Sequence, residues 1–576
     1  MLTLAERPPP FEPWLDRLAG HRGRACLALI VLTLVLCLPG IGTLFPMDRD
    51  EPRFAQASKQ MLETGDLVSI RFHDEARNKK PVGIYWLQAA TVAAGEAIGV
   101  PQARQRLWLY RLPSLLGAVA AVLLTWWTAL ALTHRRAALL AGAMMASAVL
   151  LVVEAHLAKT DAVLLATVVA AMGVMARAFV ARARAQPLPL AVAGVFWVAI
   201  AVGILVKGPI APMVVLFSAA TLSVRERSLR WLGALRPLPG LALCLLIAVP
   251  WFVLIVKSTG GAFFAESLGH DMGAKVASAQ EQHGAPLGTY ALAVFVTGWP
   301  FAPFLLWAVP VAWRDRRSDQ VAFLLSWIVP VWLLFETVPT KLPHYVLPVY
   351  PALAILVAAS LLKGRPRPAE GRVRLAAFAA LLALLPLAIP VALWAVPGRA
   401  ATTVSAATLA VAGVAVAAAL AGVWQALRLA RAGAWSGAAM GSILAAVAVY
   451  GFVFGWMLNA RHADLLALSP RLAAAGRAAT PPGCPGTAFA TVGDREPSLV
   501  FETGTSLAMT DAAGAARFLQ GGPCRVALVE AGQEAAFADA LGTDVAVGLA
   551  SRVAGINING GRRLDIGVYA RRDPPP

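Results

Sequence analysis

The sequence predicts a polytopic α-helical membrane protein with about thirteen transmembrane helices and a carboxyl-terminal soluble α/β domain. Three observations predict it: the composition, a recurrence of apolar runs of span length, and a change to polar sequence after Leu458. Of 576 residues, 58% are hydrophobic and 14% charged, with a mean hydropathy of +0.67. An ordinary soluble domain runs at roughly 45–50% apolar and about 25% charged. A soluble enzyme of this size could not hide so much apolar surface, and disorder, collagen and a coiled coil are excluded. The net charge of +18 would suggest nucleic acid in a soluble protein. Here it is a topology signal, and no nucleic-acid partner is expected.

A span needs about 20 mostly apolar residues. The first run, 25–45, follows Arg17, Arg22 and Arg24; it is too long for a signal-peptide core and reads as an uncleaved span. Further runs occupy 112–133, 137–153, 161–181, 189–206, 209–224, 237–257, 287–313, 320–338, 346–362, 375–396, 404–424 and 437–458. The stretch 81–100 is apolar but interrupted by Gly83, Gln88, Gly95, Glu96 and Gly99. Parity decides against its crossing. Without it, the arginine-rich short loops around 135–136, 177–184, 225–236, 314–317, 363–374 and 428–431 all fall inside; with it, all fall outside. The chain then divides into a membrane domain, 1–458, with a long first outer loop at 46–111, and an outer domain, 459–576. In that loop 52–63 shows helical periodicity, with Phe54, Ala57 and Met61 on one face and Arg53, Gln56, Lys59, Gln60 and Glu63 on the other. Both 52–63 and 81–100 read as helices lying along the membrane surface.

In the tail, apolar segments at 488–492, 498–502, 525–529, 544–547 and 564–569 alternate with helical patterns near 511–520 and 533–541, which reads as a small α/β domain. Cys26, Cys37 and Cys244 lie in apolar runs. Cys484 and Cys524 lie in this polar domain, where a disulfide is expected if it faces an oxidising compartment.

Lysine is a marked choice in a chain with nine lysines and 41 arginines. Lys363 falls in an inner loop; Lys59, Lys79, Lys80, Lys159, Lys207, Lys257, Lys275 and Lys341 all fall outside, against the inside bias. A compact ammonium suits phosphate as a movable point charge, so this face is expected to handle anionic groups. Carboxylates gather there too: Asp48, Asp50, Glu51, Glu154 and Asp161. Carboxylates at membrane depth are costly and point to function. His156, His270 and His283 lie in outer loops, without the spacing of a metal motif.

The run from Asp50 to Gln56, Gly65-Asp66, and Lys80-Pro81 followed by Tyr85-Trp86 resemble the first-loop signature of the GT-C membrane glycosyltransferases. That group includes protein O-mannosyltransferases and bacterial 4-amino-4-deoxy-L-arabinose lipid A transferases. Matches continue in order with Asp161, Lys207-Gly208-Pro209, His270, 283–286 and Lys341-Leu342-Pro343-His344-Tyr345. Length, span count and outer domain are most similar to the aminoarabinose transferases. The resemblance implies an undecaprenyl-phosphate-linked sugar donor and a lipid A phosphate acceptor at the periplasmic face of the bacterial inner membrane, in lipopolysaccharide modification and polymyxin resistance. It implies reacting carboxylates at Asp50, Glu51 and Asp161, and contacts to the lipid phosphate from Lys80, Lys207, Lys275, Lys341 and Tyr345. It leaves room for a divalent metal on His270 and Asp161. Lys79 stands where the family has an acidic residue, which counts against a metal there, and Lys275 stands where an arginine is usual. The alternatives are a protein O-mannosyltransferase-like enzyme, a lipid A transferase for another sugar and, from another class, a lipid flippase. A flippase would show internal repeats and ionisable residues spread along its spans.

Overall fold

The computed structural model describes residues 12–47, 50–182, 188–267, 269, 284–363, 371–400, 404–459, 463–542, 546–557 and 561–571. His270, Lys275 and His283 lie outside them. Among the described residues nine helices are long and apolar enough to cross a membrane, or up to 11 if two bent pairs each count as one span. The thirteen expected stretches are all largely helical, but not all as single spans. The first is α2 (Arg22–Cys37), entered from α1 (Glu12–Gly20) through a 110° bend. The third is α6 (Arg135–Ser147) plus α7 (Val149–Ala155), bent by 59°. The stretch 287–313 is broken between Thr289–Thr297 and Leu305–Arg314 around Trp299–Pro300, because proline removes a helical donor and restricts its predecessor. The stretch 81–100 forms α4 (Gly83–Ala97), at 15 residues too short to span.

Apolar residues on all sides make these helices interior or lipid-facing, and burial separates the two. Helix α8 (Asp161–Ala181) is 83% buried over its apolar window, while Arg372–Ala395 is 22% buried and Pro237–Thr259 (α11) 28%. Exposed Leu238, Leu241, Leu245, Leu246 and Val253 on α11 form a face that only lipid can cover. At the centre α8 packs on α5 (Leu107–Leu132). A Cβ on Gly117 would stand 2.8 Å from the Val163 nitrogen, so that approach requires glycine.

The tail carries a five-stranded sheet in the order β4-β3-β5-β7-β6, with β3 (Ala488–Val492), β4 (Ala508–Met509) and β5 (Arg525–Glu530) parallel. Strands β6 (Val547–Ile556) and β7 (Arg563–Arg571) are antiparallel. Alternation along β5 feeds two cores. Val526 and Leu528 meet the helices Leu468–Ala479 and Pro497–Thr503, and Ala527 and Val529 meet Ala512–Gln520 and Glu534–Leu541. The segment 498–502, which alternation suggested as a strand, is the helix Pro497–Thr503, with Pro497 in its first turn and both Leu499 and Val500 fully buried. Cys484 and Cys524 are disulfide-bonded, with 5.6 Å between their Cα atoms. A bridge closing about 40 residues is worth about 4 kcal/mol in the chain-entropy model. The double Cys→Ser variant is therefore expected to unfold this domain at lower denaturant than the oxidised protein. Equal unfolding would show that the bridge adds nothing.

Candidate active site at the long-loop end of the bundle

Successive spans alternate direction, so the same end of the bundle receives, among others, five connections that bear on the site: the first loop and those at 156–160, 207–209, 258–267 and 338–345. Side chains lace them together. Glu51, 0% exposed, takes Nε and Nη2 of Arg111 at 2.7 and 3.0 Å. The remaining Arg111 donors reach the carbonyls of Ile41, Leu44 and Phe45, so all five are used. Glu51 also accepts from the backbone N–H groups of Met47 and Ala158. One buried pair thus fastens α2, the start of α3 (Asp50–Thr64), α5 and the second loop. Gln88 Nε2 donates to the Ala158 carbonyl, and Ser114 to that of Lys159. Trp86 and Trp251 donate to the Leu67 and Val68 carbonyls, and Ser69 meets Ser258 at 3.0 Å, tying the first loop to the end of α11. Ser267 reaches the Lys79 carbonyl at 3.4 Å. A Cβ on Gly83 would stand 2.8 Å from the Leu205 carbonyl, so the glycine lets α4 press on the end of α9 (Leu190–Lys207).

The charged residues of the site sit on this frame. Asp50 opens α3, with its side chain 51% exposed and paired to Arg77 Nη2 at 3.5 Å. Arg77 is 8% exposed, lies over the Phe54 ring and stays fully charged, because Tyr85 and Asp50 more than offset its burial. Lys207 Nζ stands 2.5 Å from Asp161 Oδ1, and Lys159 Nζ 3.7 Å from Glu154 Oε1. His344 Nδ1 is 3.8 Å from the same Glu154 oxygen and within electrostatic reach of Asp50, Lys159, Asp161 and Lys207. The half-buried Tyr345 ring lies against His344 and Phe335. Lys80, half-buried, immediately precedes buried Pro81 and Val82 at the start of α4. Charges from four of the five connections therefore meet around His344 and Tyr345.

Two expected residues have other work. Glu51, expected to react beside Asp50, is enclosed by Arg111 and backbone donors and supports the frame instead. Lys341, expected on the lipid phosphate, donates to the carbonyls of Glu336 and Val338 at 2.8 Å and caps the helix Asp319–Thr337. Arg77, Arg111 and His344 were missed as site residues. Arginine is too common here to stand out, and His344 shows its role only when the loops converge.

Glu154, Asp161 and His344 bring one ligand atom each within 4.8 Å of one another, a donor set that suits a transition metal. Both carboxylates already face lysine ammonium groups, however, and a divalent ion would be driven against two like charges. The cluster fits a metal poorly.

The tail domain covers the polar face of α3, the helix read from its periodicity as lying along the membrane surface. Gln56 donates to Thr505, Thr505 to Glu63, and Lys59 to the Phe501 carbonyl; His73 Nε2 meets the Leu507 carbonyl. Beside Lys59, burial pushes the Glu502 carboxyl up to about 7, against the pull of Arg477, Lys59 and Arg111. A carboxyl whose folded pKa lies above the unfolded value of about 4.3 stabilises the fold in its protonated form. That contribution is full below about pH 4 and lost as pH rises through about 7. Glu502→Gln is expected to flatten the fall in Tm between about pH 4 and 7; an unchanged slope would assign it to other groups.

Residues 50–259 match the family model described as dolichyl-phosphate-mannose-protein mannosyltransferase. The fold is similar to the crystal structure of ArnT from Cupriavidus metallidurans bound to undecaprenyl phosphate. The TM-score is 0.73 at 20% identity, covering 94% of this chain and 97% of that one. The chain shares the fold of that ArnT. The apo structure of the same ArnT matches with a TM-score of 0.69. The chain is also 27% identical over 345 residues to an undecaprenyl phosphate-alpha-4-amino-4-deoxy-L-arabinose arabinosyl transferase of Pectobacterium carotovorum, covering 58% of each chain. A relative of the same description from Yersinia pestis is 26% identical over 356 residues, covering 60% of each chain. The chain thus spans well under two thirds of these curated relatives.

Proposed function

We propose that the protein transfers 4-amino-4-deoxy-L-arabinose from undecaprenyl phosphate to a lipid A phosphate, at the periplasmic face of the bacterial inner membrane. The observation that carries this reading is the meeting of Asp50, Lys159, Asp161 and Lys207 around His344 and Tyr345, at the end of the bundle where an outer tail domain also sits. The likeness to arabinosyl transferases supports the choice of donor. The arginine-rich loops of the opposite end support the orientation.

In this reading the bond between the anomeric carbon and the phosphate oxygen breaks. Positive charge builds on the sugar, and the electron pair leaves with the polyprenyl phosphate. An oxygen of the acceptor phosphate forms the new bond; it is already anionic near neutral pH, so no base is needed. Lys80 and the Tyr345 hydroxyl stabilise the leaving phosphate, with Lys275 as a further cation. Lys207, neutralised by Asp161, sets the potential of the pocket rather than gripping the phosphate. Asp50 holds the sugar's ammonium or orients the acceptor. Tail and first loop together shut water out.

Mass spectrometry of lipid A from cells with and without the gene tests the reading. A gain of one aminopentose is expected in cells that carry it. An unchanged lipid A profile with altered glycoproteins would replace this reading by the protein mannosyl one, to which the family match over 50–259 lends its weight.

A further inference from the structure

At the opposite end of the bundle, away from the proposed reaction, the carboxylates among the described residues are taken. Glu226 and Asp319 are shared by Arg182 and Arg225, and Asp16 pairs with Arg136. Arg177, near the end of α8, is different. It is half-buried, its guanidinium lies 3.4 Å above the Trp127 ring, and it donates to the carbonyls of Gly173 and Trp127. Among the described residues it makes no ion pair. Two of its five donors are spent on neutral carbonyls, and among the described residues its charge, set between helices, has no counter-ion. A cation withdrawn from water is normally paired, and an ionisable side chain facing the interior near the end of a span is a functional-site candidate.

Arg177 lines a recess of about 520 Å³ between α5, α8 and the start of α2. Arg22 contributes a second guanidinium, exposed and likewise without an ion pair among the described residues; Trp126, Leu130 and Val180 supply apolar wall. The volume is that of a small-molecule site. Its chemistry is divided, with two cations and the Trp127 ring at the polar side and aliphatic surface continuing into the span. A soluble anion would use the first half and leave the second bare.

We propose that this recess binds an anionic phospholipid of the leaflet at this end, with its phosphate between Arg22 and Arg177 and its acyl chains along Trp126, Leu130 and Val180. The lipid supplies a counter-charge that the described residues do not and fixes the ends of α2, α5 and α8 relative to one another. This site is independent of the sugar-transfer reading.

Native mass spectrometry of the purified full chain, titrated with dioleoyl phosphatidylglycerol or dioleoyl phosphatidylcholine, tests it. Phosphatidylglycerol should be retained in preference, and Arg22→Gln should weaken that retention roughly tenfold, as expected for losing a charge-assisted phosphate contact. Arg177→Gln should do the same, and Arg431→Gln, at the same end but remote from the recess, should not. Because Arg177 also bonds backbone carbonyls, Arg22→Gln keeps the test sound if Arg177→Gln misfolds. Equal retention of the two lipids, full retention of phosphatidylglycerol by Arg22→Gln, or its displacement by millimolar inorganic phosphate would each overturn the proposal.

Discussion

Asp50→Asn and Lys80→Ala are each expected to stop sugar transfer while leaving a folded, monodisperse protein. The two halves of that result have separate causes. Asp50 is half exposed and its pair with Arg77 spans 3.5 Å, so removing the charge costs the fold little. Its position is nevertheless fixed, because the adjoining Glu51 is clamped by Arg111 and Arg77 is walled by Phe54. A group so held contributes through preorganisation, and deleting one such group costs roughly 10²–10³ in turnover. Lys80 is expected to show a loss of the same order, expressed in kcat together with weaker retention of undecaprenyl phosphate. The check is a transfer assay on purified variants beside size-exclusion profiles. Wild-type turnover in either variant would strip that residue of its proposed role.

The second large effect falls on the frame. Glu51→Gln or Arg111→Met alone leaves an uncompensated charge where both partners are at most 1% exposed. Breaking such a buried pair costs about 3–5 kcal/mol, here in a carboxylate that also binds the Met47 and Ala158 backbone N–H groups. Each single variant should lose thermal stability sharply and lose transfer with it. The paired change Glu51→Leu with Arg111→Met should regain much of the stability, since both charges leave the interior together. It should regain little transfer, because the start of α3 and the 156–160 loop are no longer fixed. Recovery of full transfer in the pair would reduce Glu51 and Arg111 to ordinary packing.

These contrasts mark what the residues could announce by themselves. Apolar runs fixed the helix positions almost to the residue for 161–181 and 320–338, since lipid imposes length and composition directly. They were silent on the break at 299–300 and on the bends at 20–22 and 147–149, which depend on packing. The crowding of lysines beyond the spans pointed to the end of the bundle where the long first loop and the His344 cluster lie. It could not tell Lys341, spent on helix carbonyls, from Lys207, spent on Asp161. Nor could it separate Glu51 from Asp50: neighbours in sequence, they point to opposite surroundings because a helix starts between loop and core. The face of α3 bearing Gln56, Lys59 and Glu63 looked solvated. Its cover comes from residues more than 400 positions later, beyond the reach of any local pattern.

The central claim is that distant loops assemble a site for a prenyl-linked phosphate at one end of the bundle. A cryo-electron microscopy structure of the full chain with undecaprenyl phosphate tests it most directly. The account predicts phosphate density within hydrogen-bonding distance of Lys80 and the Tyr345 hydroxyl, on the side of His344 that faces Asp50. Phosphate density elsewhere, with Lys80 and Tyr345 untouched, would contradict it.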